Sequence, residues 1–260
     1  MDIEEIADDL LARRAEGRFL AAEGASPRVS DLSMALAVQD AIVTAQGNDG
    51  IRPIGYKIGA TSQAARDMLG IPGPFRGVLF DRTSHQSGAR LPRGNGVYQV
   101  WEVEIAVRLG RDLDPAGAPF SASNIESATA ALIPAIEIVG SAWQPFNQAP
   151  KYDLIADNAV HGAWIHGDDV ADWSAMDLSD GAVSLMIDGQ IAAEGRGANV
   201  EGGPFGSTAW LANELAETGR GLRAGDVVTT GTVTPLVAIS GPGLAVADFG
   251  PLGRVEVTLT

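Results

Sequence analysis

The chain has 260 residues, 45% of them hydrophobic and 20% charged, enough apolar material for one large domain or two small ones. A formal net charge of -15 repels phosphate backbones and anionic lipid, which argues against nucleic acid and membrane surfaces as partners. With no cysteine, disulfides, thiolate nucleophiles and cysteine-held zinc are excluded.

The N-terminal MDIEEIADDLLARR is acidic and amphipathic, not basic and then apolar as a signal peptide is. No apolar run approaches the ~20 residues of a membrane span, so a cytoplasmic protein is expected. Ile3, Ile6, Leu10 and Leu11 recur at helical spacing. Ser30 is the expected N-cap of a second helix, DLSMALAVQDAIVTAQG, closed by Gly47. From Ile54 onward, short apolar runs between Gly, Pro and Asp read as strands: GYKIG, GVLF, VWEVEIAVRL, IPAIEIVG, AVSLMI, VVTTG and VEVTLT. Asp188-Gly189 predicts a tight hairpin. Two helices are expected among the strands, one from Ser123 with Glu126 in a capping box, the other over 207–218 before Gly219. Helices followed by a β-rich body indicate an α+β fold, with a helical portion at 1–50 and a β-rich core at 51–260.

The chemistry concentrates in three segments. In the strand around Trp101-Glu102-Val103-Glu104-Ile105, alternate residues share a face. Glu102 and Glu104 therefore project together beside Ala106, opposite an apolar face. Two carboxylates ~7 Å apart along a strand repel unless a cation lies between them, or unless the face is simply solvated. Glu137 is the lone charge in Ile133-Pro134-Ala135-Ile136-Glu137-Ile138-Val139-Gly140, an apolar run of the kind buried on both faces. There it must be protonated, ion-paired or metal-bound. Three glutamate oxygens form a hard ligand set suited to Mg²⁺ or Mn²⁺.

Lys57 is a single cation in Gly55-Tyr56-Lys57-Ile58-Gly59. It either reaches the surface or serves as a proton donor or anion clamp. Gly59 allows close backbone approach to a ligand, and Thr61 and Ser62 supply hydroxyls and amides. Asp81, ending the strand of Gly77-Val78-Leu79-Phe80, is a turn former or a carboxylate aimed into a site. Thr229-Thr230-Gly231-Thr232 reads as a loop able to bind a carboxylate, with Gly231 and Thr232 as substrate contacts. Asp157 and His161 lie in a polar loop near a strand, where His161 is a base or a satisfied structural histidine. No dinucleotide fingerprint, P-loop, zinc-protease or serine-hydrolase motif occurs.

Taken in order, GYKIGATS, GVLFD, the E-x-E strand, PAIEIVG, IADNAVHGA and ADFGPLGRVEV resemble the 2-keto-4-pentenoate hydratase branch of the fumarylacetoacetate hydrolase superfamily. The likeness runs from about residue 50 to the end. It implies a mixed β-roll core, assembly as homo-oligomers, and Mg²⁺ or Mn²⁺ held at Glu102, Glu104 and Glu137. It also implies Lys57 and Asp81 as catalytic groups. The chain departs from the family pattern at Ala60, at Val160-His161, over residues 230–235 and over 240–243. Those positions fall where substrate should lie.

The resemblance implies a lyase that hydrates a 2-hydroxy-2,4-dienoate to a 4-hydroxy-2-oxo acid. A decarboxylase of a 2-oxo-enedioate (4-oxalocrotonate type) would use the same site, and an acylpyruvate hydrolase would require a His/Glu pair, for which His161 is the one candidate. An oligomeric binding protein without catalysis would be marked by loss of an acid or the lysine, and none is lost.

Overall fold

The computed structural model describes residues 1–93 and 97–260. The chain opens with helix α1 (Ile3–Glu16), and its ends follow from its sequence. Asp2 and Glu5 form a capping box, Arg13 and Arg14 sit in the last turn, and Gly17 closes it in the left-handed conformation. After β1 (Leu20–Ala21) comes α2 (Leu32–Asn48). The N-cap of α2 is Asp31, one residue beyond the expected Ser30, because the Asp31 carboxylate reaches the Met34 amide while Ser30 donates to that carboxylate.

The remaining elements alternate. They are β2 (Pro53–Gly59), α3 (Gln63–Leu69), β3 (Phe75–Phe80), β4 (Ser84–Gln86), β5 (Ala89–Leu91), β6 (Tyr98–Leu109), α4 (Ala122–Ala128), β7 (Thr129–Gly140), β8 (Trp143–Gln144), α5 (Lys151–Ala156) and β9 (His161–His166). Then follow β10 (Ala182–Ile187), β11 (Gln190–Arg196), α6 (Gly203–Glu217), β12 (Val227–Thr232), β13 (Val237–Ala238), β14 (Gly243–Asp248) and β15 (Arg254–Leu259). The Asp188-Gly189 hairpin is present, with both residues at positive φ as a tight two-residue turn requires.

Helices α3 and α5 were not expected, since seven and six residues carry too little periodicity to stand out. Ser121, not Ser123, caps α4, in a reciprocal pair with Asn124 instead of Glu126. Helix α6 starts at Gly203, four residues before the expected Ser207.

Two mixed sheets share one core. The larger runs β3-β2-β12-β6-β7-β9-β4, with β13 added beside β6; the smaller runs β11-β10-β14-β15-β5. Val103, Ile105 and Val107 of β6 and Ile136 and Ile138 of β7 pack with Leu185 of β10 and with Val255 and Val257 of β15. A second cluster joins α1 and α2 to α5 and Phe75. This is the α+β architecture with a helical N-terminal part that the sequence predicts. No helix among the described residues is long and apolar enough to cross a membrane.

Candidate active site

The register of the large sheet decides where the acids meet. Glu102 of β6 stands directly opposite Glu137 of β7, and Glu104 is opposite Ala135. Directly opposed residues share a face, so all three carboxylates project on the side of β6 away from the sheet–sheet core. Lys57 of β2 pairs with Thr229 of β12, which pairs with Ala106 of β6, putting the lysine on that same face. One oxygen from each of Glu102, Glu104 and Glu137 lies within 4.8 Å of the other two. Lys57 Nζ is 3.4 Å from Glu137 Oε2, and both side chains are buried.

The pleat of β12 breaks at Thr230-Gly231, where its register against β6 shifts. The bulge turns the Gly231 amide onto Glu104 Oε2 at 2.9 Å, and the Thr229 hydroxyl donates to the same oxygen. Gly231 has φ 104, and a Cβ there would lie 2.0 Å from Thr61 Oγ1, so only glycine fits. Glu137 is oriented from its other side, with Oε1 2.9 Å from His161 Nδ1, while His161 Nε2 lies 3.1 Å from Thr83 Oγ1. His161 follows three successive left-handed residues, Asn158, Ala159 and Val160, an unfavourable backbone for a β-branched valine. The Asn158 side chain holds that turn by bonding both the amide and the carbonyl of Val78.

The electrostatics follow from burial. Burial pushes Lys57 down, but the three glutamates outweigh it and hold the ammonium above its ordinary value. Burial likewise raises Glu137, yet Lys57 and then His161 reverse that, and Glu137 stays ionised. Glu102 is raised by burial, lowered less by Lys57 and raised again by Glu137, reaching about 7. Glu104, also buried and beside two carboxylates, is raised well above the usual range.

Two of the cluster's oxygens point to a missing partner. Glu104 Oε1 is buried and accepts no hydrogen bond, and Glu137 Oε2 meets Lys57 without a well-formed one. Buried carboxylate oxygens left open cost several kcal/mol unless a cation neutralises them. The donor set is all oxygen, and the residues fit a divalent cation of the Mg²⁺ or Mn²⁺ kind.

The cluster opens on a cavity of about 270 Å³ lined by Lys57, Glu102, Thr61, Ser62, Gly231 and Thr232 together with apolar side chains. The expected substrate contacts are thus gathered here, but several are already engaged. Ser62 Oγ accepts from the Ala65 amide as the N-cap of α3. The Thr232 hydroxyl accepts from the Val103 amide and donates to the Thr234 carbonyl. Gly59 also lines the cavity, and the Phe75 ring fills the space where its Cβ would stand.

Three expected groups do not line this cavity. Asp81 is a partner of Arg52, accepting from its amide and its guanidinium at 3.0 Å, and it does not line the cavity. Asp157 is bound to Arg14, Ser141 and the Ala142 amide, an anchor for α1. His161 is a support for Glu137 and does not line the cavity with Lys57. Sequence reasoning named Thr229 but missed that its hydroxyl serves Glu104, and it missed the apolar wall of α3, Phe75, Phe146 and Leu236.

Fold and site together define a class: three carboxylates and a lysine, with a donor set able to hold a divalent cation, at the floor of a small-molecule cavity in a mixed sheet. The chain belongs to the fumarylacetoacetate hydrolase family, whose C-terminal domain model matches residues 71–259. It is 34% identical over 258 residues to a 2-keto-4-pentenoate hydratase of Burkholderia vietnamiensis, covering 99% of this chain and 97% of the relative. It is 36% identical over 190 residues to a 2-hydroxyhexa-2,4-dienoate hydratase of Comamonas testosteroni, covering 72% and 71%. Its structure is similar to that of 4-oxalocrotonate decarboxylase from Pseudomonas putida G7 complexed with magnesium and adipate. That likeness has TM-score 0.92 at 26% identity and covers 99% of this chain and 97% of the other.

Proposed function

We propose that this chain is a divalent-metal-dependent hydratase, with Mg²⁺ as the metal, converting a 2-hydroxy-2,4-dienoate into a 4-hydroxy-2-oxo acid. The observation that carries the reading is the trio Glu102, Glu104 and Glu137 with Lys57 3.4 Å from Glu137 at the cavity floor. The hydratase names of relatives aligned over most of the chain point the same way.

Hydration needs two proton movements and one water. The 2-hydroxyl proton leaves while a proton reaches C5, which moves the remaining double bond to C3–C4, conjugated with the new 2-oxo group. Water then places its oxygen on C4 and a proton on C3. A divalent cation held by the three glutamates supplies Lewis-acid withdrawal of electron density from the substrate's oxygens. Lys57, kept protonated by the glutamates, is the acid of the site and the counter-charge for an anionic substrate. Thr229 and the Gly231 amide fix Glu104, and His161 fixes Glu137, so the trio keeps its geometry through the reaction. The apolar wall limits the water that reaches the dienol.

A second reading, decarboxylation of a 2-oxo-enedioate, is favoured by the close structural likeness to the decarboxylase. Hydrolysis of an acylpyruvate is the weakest reading, because His161 is already spent on Glu137 and Thr83. The test is incubation with 2-hydroxypenta-2,4-dienoate and with a 2-oxo-enedioate, 2-oxohex-3-enedioate, with and without Mg²⁺, and identification of products by mass. Gain of water only with Mg²⁺ supports the hydratase. Loss of CO₂ from the enedioate, with no hydration of the dienoate, replaces it with the decarboxylase.

A further inference from the structure

The imidazole of His161 is buried and is held at both of its nitrogens. Nδ1 lies 2.9 Å from Glu137 Oε1 and Nε2 lies 3.1 Å from Thr83 Oγ1. Glu137 is ionised, and a carboxylate only accepts, so the hydrogen of that bond sits on Nδ1. A ring bound at Nδ1 alone can still turn about Cβ–Cγ, and a half-turn would set a carbon against the carboxylate in place of the nitrogen. Glu137 therefore keeps its donor only if the far side of the ring is also held. Among the described residues, Thr83 is the one partner of Nε2.

Thr83 is placed for this task. It ends the single turn Asp81–Thr83 that follows β3, and β4 begins at the next residue, running parallel to β9. Its hydroxyl also lies 3.3 Å from the Phe80 carbonyl, which the Ser84 hydroxyl already serves at 2.9 Å. The Thr83 oxygen is thus not needed by the turn and is left for the ring. A hydroxyl both donates and accepts, so it gives its hydrogen to a bare Nε2, or accepts from Nε2–H while turning its own hydrogen to Phe80. The backbone of His161 is fixed separately, by Arg14 on its carbonyl at 2.6 Å and by the left-handed residues 158–160 before it. What Thr83 governs is the orientation of the ring.

We infer that Thr83 is a positioning residue for the carboxylate trio, acting through His161: its hydroxyl anchors Nε2 and so keeps Nδ1–H on Glu137. The inference rests on the reading of Glu137 as a ligand of a divalent cation. Partners that orient a ligand in this way are worth about ten-fold or more in metal affinity.

The experiment compares the wild type with Thr83→Val, which nearly keeps the shape and removes the hydroxyl, and with Thr83→Ser, which keeps the hydroxyl. Mg²⁺ affinity is measured by calorimetry, and the histidine ring nitrogens are observed by nitrogen-15 resonance in the metal-free protein. There are only three histidines, so His85→Gln and His166→Gln assign the His161 signals by elimination. The wild type should show hydrogen on Nδ1. Thr83→Val should move the Nε2 resonance and weaken Mg²⁺ binding by about ten-fold, with Thr83→Ser restoring both. A bare Nδ1 in the wild type, an unmoved Nε2 resonance or unchanged Mg²⁺ affinity in Thr83→Val, or a serine variant that behaves as the valine one overturns the inference. A wild type that binds no Mg²⁺ fails the metal reading instead, and the nitrogen resonances still decide whether Thr83 holds the ring.

Discussion

Glu102 and Glu137 oppose each other across the antiparallel pair of β6 and β7, two acids where strand pairing favours opposite charges. Glu104 joins them from the next position on the same face of β6, and the single nearby ammonium, Lys57, cannot balance three carboxylates. The cluster is therefore short of positive charge as it stands. A protonated Glu102 or a bound divalent cation relieves the shortage, and the two compete.

That competition makes cation binding pH-dependent. Glu102 is raised from its ordinary value of 4.5 to about 7, with burial the largest cause. Its folded state then holds a proton that the unfolded chain has lost. The contribution of this group to stability is thus fully present below the ordinary value and is lost as pH rises through about 7. A cation displaces that proton, so its stabilising effect should grow over the same interval. Melting temperatures with and without Mg²⁺ between about pH 5 and about pH 8 should diverge through this window. A gap that stays constant across it contradicts the assignment.

Lys57→Met removes the ammonium while nearly keeping the volume. Turnover should fall by about 100-fold or more, the usual worth of a positioned acid. Mg²⁺ should still bind, since a repelling charge has been removed and no ligand lost. Calorimetric titration alongside steady-state kinetics separates the two effects; loss of Mg²⁺ binding together with turnover would make Lys57 a structural residue only.

Asp81→Asn tests whether Asp81 serves Arg52 or the reaction. The carboxylate is held below its ordinary range by the amide and then the guanidinium of Arg52, outside the cavity. Turnover should stay close to that of the wild type. A loss comparable to that of Lys57→Met would return Asp81 to the catalytic machinery.

Arg14→Met probes how the helical N-terminus is fastened. The guanidinium bonds Asp157 Oδ1 at 2.5 Å and the carbonyls of His161, Gly140 and Asp157 at 2.6, 2.6 and 2.9 Å. Asp157 is buried, and removing its partner should destabilise the protein by about 3 kcal/mol. Urea denaturation measures this, and a change within error would mean that α1 is held by its apolar face alone.

The trio was legible because each acid broke a local pattern. Glu137 is a lone charge in an apolar run, and Glu102 and Glu104 repeat on one strand face. Lys57 was legible in the same way. What was hidden depends on partners far apart in sequence. Asp81 ends a strand whether it faces a site or faces Arg52, 29 residues away. Asp157 looks like a loop acid until Arg14, 143 residues earlier, is seen against it. The threonine-rich segment was recognised, but only the bulge shows that Gly231 and Thr229 serve Glu104 first. The short helix α3, which supplies the apolar wall, has too few turns to declare itself.

The central claim is that the three glutamates hold one divalent cation on which turnover depends. Its most direct measurement is calorimetric titration of Mg²⁺ into the wild type, Glu102→Gln and Glu137→Gln, with hydration of a 2-hydroxydienoate followed in the same samples. The wild type should bind one ion per chain, and each variant should lose binding and turnover together by at least about ten-fold. Wild-type affinity and full turnover in both variants, with no metal added, would contradict it.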